Sequence, residues 1–274
     1  MASFNNLDPA DTVWQDTFAV HNCIMKQTFV VLLSFLLTGY VVSAQTPTDS
    51  TKKAKKDWSK VKLNNRANDH FMVQLGYDGW AGKPDSIRTK GFGHSINVYL
   101  MMDFPFKSDP RMSVGLGLGV GTSSIYFDQQ EPKITAQTTT LPFTDYSGTN
   151  APNHFKKMKL ATNFIELPIE LRFVSNPERS DNSFKVALGV KGGLLVDAHT
   201  KGKTLVNASG ATVNDYTQKE KSKNYFNSTR ISGTLRVGYG HFTVFGQYSL
   251  SNVLKEGRGP SLHTYSIGLT LSGL

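Results

Sequence analysis

Three histidines, His94, His199 and His263, stand at the ends of apolar runs, with Ser95, Asp197 and Ser261 beside them in sequence. A histidine next to a hydroxyl or a carboxylate is the raw material of acid–base or nucleophilic catalysis. A lipid or peptide hydrolase working at a rim is therefore one reading of this chain. The weight of residue types is against it, since His and Ser at loop ends are ordinarily solvated loop residues and no nucleophile motif accompanies them. His70, His94, His154, His199, His241 and His263 show neither an H-x-x-x-H nor an H-E-x-x-H spacing, so no metal site is expected. Glycine at every second position from Gly115 to Gly121 is not the G-x-G-x-x-G of a nucleotide loop, and Gly82-Lys83-Pro84 lacks the rest of a phosphate loop. The basic residues are spread over tail and loops without a recognition module, which sets nucleic acid aside. The expectation is a non-enzymatic protein with no catalytic, cofactor-binding or metal-binding residues.

A second set of charges sits at strict alternation inside apolar runs. Asp103, Glu166 and Glu170 share a parity with Arg172, Lys185, Lys191 and Arg236. Paired across an interior they fill and stabilise it, whereas any one left unpaired would cost several kcal/mol. An ion-pair plug is the favoured reading, and a charged constriction in a small pore is the alternative.

The elements that carry these residues have period two. Val114, Leu116, Leu118 and Val120 alternate with glycine; Ile165 to Phe173 alternate with Glu166, Pro168, Glu170 and Arg172; Phe184 to Val190 and Ile231 to Tyr239 do the same. Similar alternation runs through 71–79, 94–106, 242–250 and 262–273. Side chains on a strand point to opposite faces in turn, so eight strands with one apolar and one polar face are predicted. Short connections at 106–110, 175–182 and 240 alternate with longer ones at 80–91, 128–156, 201–226 and 252–261, the pattern of an antiparallel up-and-down barrel. Pro168 lies mid-strand and cannot donate to the ladder, which predicts a β-bulge or bend there.

A soluble barrel would turn its apolar parity inward. Here the polar parity is crowded with small residues (Gly76, Ser113, Gly115, Gly117, Gly119, Gly189, Gly193, Gly238, Gly268), as a narrow packed interior demands. Aromatics bracket the aliphatic belt. Phe71, Phe104, Phe173, Phe184, Tyr239 and Phe242 mark the short-turn end; Tyr77, Phe92, Tyr126, Phe155, Tyr225, Tyr248 and Tyr265 are predicted for the other. Two aromatic bands are the girdles of a barrel in lipid. The predicted fold is therefore all-β, an eight-stranded antiparallel up-and-down transmembrane β-barrel with short periplasmic turns and long extracellular loops.

The N-terminus agrees with that destination. Met25-Lys26, an apolar run from Phe29 to Val42 and Val42-Ser43-Ala44 before Gln45 read as a cleavable signal peptide over 25–44, with 1–24 an upstream start-site extension. Its removal takes away Cys23, the sole cysteine, and changes the formal charge from +9 to 29 − 18 = +11. Residues 45–68, with Lys52, Lys53, Lys55, Lys56 and Lys60, read as a basic disordered periplasmic arm, and 69–274 as the barrel domain.

Phe164-Ile165-Glu166-Leu167-Pro168-Ile169-Glu170-Leu171-Arg172-Phe173, together with Ala44-Gln45 and Tyr265 to Leu271, resembles the PorT-like outer-membrane β-barrel family of Bacteroidetes over about residues 69–274. The resemblance implies an eight-stranded barrel in the cell outer membrane and a link to protein secretion. The expected function is a structural or interaction role in the envelope. Its partners would be outer-membrane lipid and envelope or secretion-complex proteins, met through the long loops and basic arm by a monomeric barrel. A small passive porin for small solutes is the runner-up.

Overall fold

The structure is a computed structural model, and it describes residues 70–148 and 152–273. The expected extension 1–24, signal peptide 25–44 and basic arm 45–68 lie outside the described residues. Eleven strands follow in chain order: β1 (Phe71–Ala81), β2 (His94–Pro105), β3 (Met112–Phe127), β4 (Gln130–Pro132), β5 (Phe143–Asp145), β6 (His154–Val174), β7 (Phe184–Val206), β8 (Thr212–Lys221), β9 (Thr229–Tyr239), β10 (Phe242–Ser249) and β11 (His263–Ser272). Eight of them, β1, β2, β3, β6, β7, β9, β10 and β11, pair antiparallel in a ring, and β1 against β11 closes it. The other three are additions at the long-loop end. β4 and β5 form a small hairpin, and β8 lengthens the sheet beside the far end of β7. β8 escaped the periodicity because almost all of its residues are exposed, leaving no face to set a hydrophobic alternation.

The registers fix the geometry of the ring. Ile165 pairs with Val120, Val120 with Val98, Val98 with Val73, Val73 with Leu271, Leu271 with Phe242, Phe242 with Tyr239 and Tyr239 with Phe184. Ile165 also pairs directly with Leu194, so one circuit returns to β7 displaced from 194 to 184, a shear of ten. Eight strands with that shear, at a rise of about 3.3 Å and a spacing of about 4.8 Å, tilt by about 40°. The interior of such a barrel has room for side chains only.

The predicted parities hold. Leu75, Leu118, Ile165, Ile169, Leu188, Leu235, Ile267 and Leu269 all point out of the ring, Leu188 with 62% of its surface exposed. Glu166, Glu170, Arg172, Lys185, Lys191 and Arg236 point in and are buried. An outer surface of Leu, Ile and Val around a charged interior suits hydrocarbon, not water. The ring leaves no backbone edge to satisfy in lipid.

Two expectations about local geometry are corrected. Pro168 carries no register shift: it pairs with Lys191 on one side, and on the other the ladder is interrupted over Gly117–Pro168 and Leu118–Leu167 and resumes in register. Pro168 has no N–H to donate, and the ladder yields there by a gap in register, without an extra residue. The register shift lies instead between Asn163 and Phe164, where Val196 of β7 is the extra residue. This bulge flips the parity of β7, so Leu195 and Ala198 both face inward. The second correction concerns the girdle. Phe104, Phe184, Tyr239 and Phe242 form the short-turn band as expected, and Tyr77, Phe92 and Tyr248 are exposed at the other end. Tyr225 is not among them: it is 1% exposed, inside the loops that cover the barrel mouth, and Phe155 packs beyond the band against Tyr216. Both come from the long-loop segments, whose own core recruits aromatics.

Candidate functional site

Within the barrel the inward parity builds three levels. Nearest the short turns, Glu170 is clamped by Arg236 through two hydrogen bonds, Nε to Oε1 at 3.1 Å and Nη2 to Oε2 at 2.6 Å, and by Arg172 Nε at 3.0 Å. Arg172 Nη1 also lies 3.7 Å from Asp103, which accepts from Ser113 Oγ at 2.6 Å. The planar guanidinium suits such a carboxylate because it presents two parallel donors.

The middle level is centred on Glu166. Lys191 Nζ donates to Glu166 Oε2 at 3.0 Å, to the Tyr99 hydroxyl at 2.8 Å and to Gln247 Oε1 at 2.7 Å, so all three of its protons are used. Tyr99 donates to Glu166 Oε2 at 2.5 Å, and Arg230 donates to Oε1. The Arg230 guanidinium also covers the Phe164 ring, 3.9 Å from its centroid. Around Tyr99, Met72 and Met101 complete a small apolar cluster. Glycine makes this level possible. A Cβ on Gly121 would stand 2.5 Å from Glu166 Oε2 and 2.8 Å from Asn97 Oδ1, and one on Gly115 would stand 2.5 Å from Arg172 Nε.

The upper level joins strand-end residues to a lid of loop residues. Asp78 accepts from Ser123 and Ser266 at its floor. Above it Trp80, Ile125, Phe127, Ile134, Leu141, Leu160, Tyr225, Phe226, Leu254 and Leu262 form one apolar cluster. The loops are cross-tied: Tyr225 Oη donates to Ala136 O at 2.6 Å, Leu141 N to Arg258 O at 2.8 Å, and Asn227 Nδ2 to Asn252 O at 2.8 Å and Leu254 O at 3.0 Å. A cavity beside Phe164 and Arg230 and another beside Asp103 and Arg236 leave about 20 Å³ each, room for a single water apiece.

Asp103, Glu166 and Glu170 meet Arg172, Lys191 and Arg236 as predicted, and Lys185 is buried in the same interior. Arg230 was missed because the apolar alternation was read only from Ile231. One further step outward in the same parity as Ser232, Thr234 and Arg236 would have found it. Of the rim candidates, His94 and Ser95 are split, His263 and Ser261 are loosely apposed, and His199 and Asp197 meet. Ser95 is buried inside the barrel, while His94 lies outside against the Tyr126 ring, 5.8 Å away. His263 Nε2 is 3.4 Å from Ser261 Oγ, and that hydroxyl donates to Asn252 Oδ1 at 2.7 Å instead. His199 Nδ1 and Asp197 Oδ2 do meet, at 2.7 Å; Asp197 is held further by Asn163 and Lys221, and among the described residues no serine hydroxyl is bonded to the pair. Among the described residues no three His, Cys, Asp or Glu side chains gather as a metal site would require.

Residues 59–254 match the family model described as outer membrane protein beta-barrel domain. No curated protein matches the chain. Among solved structures, the attachment invasion locus protein Ail of Yersinia pestis is similar at 11% identity over 74% of this chain and 97% of that one, with a TM-score of 0.31. The translocator domain of the autotransporter NalP from Neisseria meningitidis is similar at 12% identity over 95% and 98% of the two chains, with a TM-score of 0.18. Likeness at these scores carries no functional argument.

Proposed function

We propose a non-enzymatic, structural or interaction role in the cell envelope for this chain, which belongs to the outer membrane protein beta-barrel domain family. Its place is the outer membrane. One observation carries the functional reading: Glu166, 1% exposed, is saturated by Lys191, Arg230 and Tyr99 beneath a lid of packed loops. A solute path would need these groups in water, and hydrolysis would need a nucleophile beside His199 and Asp197, where among the described residues no serine hydroxyl is bonded. The interior favours a plug, and the loops remain as the surface for partners.

The finer parts of the proposal are a PorT-like identity with a link to protein secretion, a signal peptide at 25–44, a basic periplasmic arm at 45–68, long loops outside the cell and a monomeric barrel. They rest on the Glu166-Leu167-Pro168 strand and the N-terminal pattern. Two experiments test the whole. Purified barrel in a planar bilayer is expected to show no unitary conductance, and steady channel steps would replace the plug with a pore. Affinity purification from the native envelope is expected to recover secretion or envelope components; recovery of the barrel alone would count against the secretion link.

A further inference from the structure

Beyond the aromatic band the outward face of the sheet changes character. On β6 the outward parity runs Ile165, Asn163, Ala161, Lys159, Lys157, and on β7 it runs Leu194, Val196, Asp197, His199, Lys201, Lys203. The registers then set lysine directly against lysine. Lys159 pairs with Lys201, Lys201 with Lys219 of β8, and Lys157 with Lys203; His199 pairs with Lys221. Directly opposed residues share a face, so six ammonium groups crowd one side of the three strands. The opposite side of the same strands carries Met158, Leu160 and Thr200, buried in the loop core.

Like charges directly opposite one another destabilise a sheet. Lysines on an exposed edge strand have an ordinary use in blocking edge-to-edge pairing, and that accounts for Lys219 and Lys221. It covers Lys157 as well, which lies just past the last β3 pair, but it does not account for Lys159, Lys201 and Lys203, which are paired to neighbours on both sides. Asp197 lies 3.7 Å from Lys221; among the described residues no carboxylate pairs with the other five lysines. The patch is left asking for an anion.

Position says which anion. Lys159 pairs with Tyr126 of the girdle, and its ammonium stands 5.9 Å from that ring centroid. From Ile165 to Lys159 is six residues of tilted strand, a climb of about 15 Å from the hydrocarbon belt at a rise of about 3.3 Å per residue and about 40° of tilt. That is headgroup depth, and the face looks sideways along the membrane surface, away from the barrel mouth. We propose that the outward face of β6, β7 and β8 binds the phosphate-bearing headgroup of a lipid in the outer leaflet around the barrel. Lys157, Lys159, Lys201, Lys203, Lys219 and Lys221 supply the charge, and the lipid's acyl chains lie along Ile165, Leu194 and Val196 below. This rests on the proposed orientation with long loops outside.

The test uses the full folded chain in detergent and measures binding of diphosphoryl lipid A by native mass spectrometry. Its dephosphorylated counterpart and inorganic phosphate are the comparison arms. Wild type is expected to prefer the phosphorylated lipid at least tenfold. Each surface lysine near anionic headgroups contributes about fivefold, so Lys159→Gln/Lys201→Gln/Lys219→Gln should lose on the order of 100-fold. The same substitutions at Lys83, Lys107 and Lys255 should leave affinity unchanged. Without lipid the triple variant should melt no lower than wild type, because it removes repulsion; if it fails to fold, Lys201→Gln alone should show the fivefold loss. Equal affinity for the dephosphorylated lipid, full affinity in these variants, or displacement of the lipid by equimolar inorganic phosphate would overturn the proposal. Orientation is read separately by labelling Lys201→Cys on intact cells with an impermeant maleimide. Labelling without lipid preference refutes this site alone, and absence of labelling refutes the orientation.

Discussion

Replacing Glu166 by Gln keeps the shape of the side chain and removes one negative charge from beneath Lys191 and Arg230. Lys191 is 3% exposed and has spent its protons on Glu166, Tyr99 and Gln247, so it has no water to turn to. Breaking a buried pair by neutralising one partner costs about 3–5 kcal/mol, since the other charge is left uncompensated in a poor dielectric. A solvated pair in a wet pore would lose no more than about 1 kcal/mol. The two pictures of the lumen are therefore separated by a single substitution. The assay is urea unfolding of barrel reconstituted in phospholipid vesicles, with Trp80 fluorescence and the gel mobility of folded barrel as independent readouts. Glu166→Gln/Lys191→Met removes both ends of the Glu166–Lys191 pair, and roughly half or more of the loss should return. A loss under about 1 kcal/mol in the single variant, or a double variant as unstable as the sum of its parts, would refute the reasoning that the interior is dry and its charges mutually supporting.

Gly121→Val places a branched side chain against Glu166 and Asn97 and should cost about 1–3 kcal/mol or more, whereas Gly192→Ala, with no atom within 4 Å of its added Cβ, should be neutral in the same unfolding assay. Leu269→Lys, at a position 61% exposed in the belt, should destabilise vesicle-embedded barrel by about 2–4 kcal/mol, and a neutral result would mean that this face meets water. In the short turn after β2, hydrogen bonds from Arg111 hold the Asp109 carboxyl below the ordinary carboxylate value, against the slight opposing effect of burial. Its contribution is thus present above an unfolded value of about 3.9 and lost as pH falls through the lower folded one. Titration of its carboxyl by NMR should show an upward shift on Arg111→Gln, and an unmoved midpoint would reject the pairing.

Fold and interior were legible in the residues to different depths. Alternation is imposed wherever a strand separates lipid from a packed interior, so all eight ring strands and the facing of Glu166, Glu170, Lys191 and Arg236 could be read directly. Where that boundary ends, so does the signal. β8 is wet on both faces, and β4 and β5 are three residues each, too short for a period to register. The bulge at Val196 had a visible trace in the consecutive Leu194, Leu195 and Val196, which breaks the alternation, but Pro168 offered a louder and misleading one. The lysine face was hidden for another reason: Lys159, Lys201 and Lys219 are far apart in sequence, and only strand register makes them neighbours.

The hydrogen-bonded seam between β1 and β11 joins the first strand of the ring to the last. Every pair that does not involve β11 is available before that strand arrives; the β10–β11 and β1–β11 pairs wait for it, and the second closes the ring. Closure is therefore a terminal event, and until it happens two raw edges remain open to self-association. Loss of residues from β11 should therefore behave as failure to assemble, not as slight weakening.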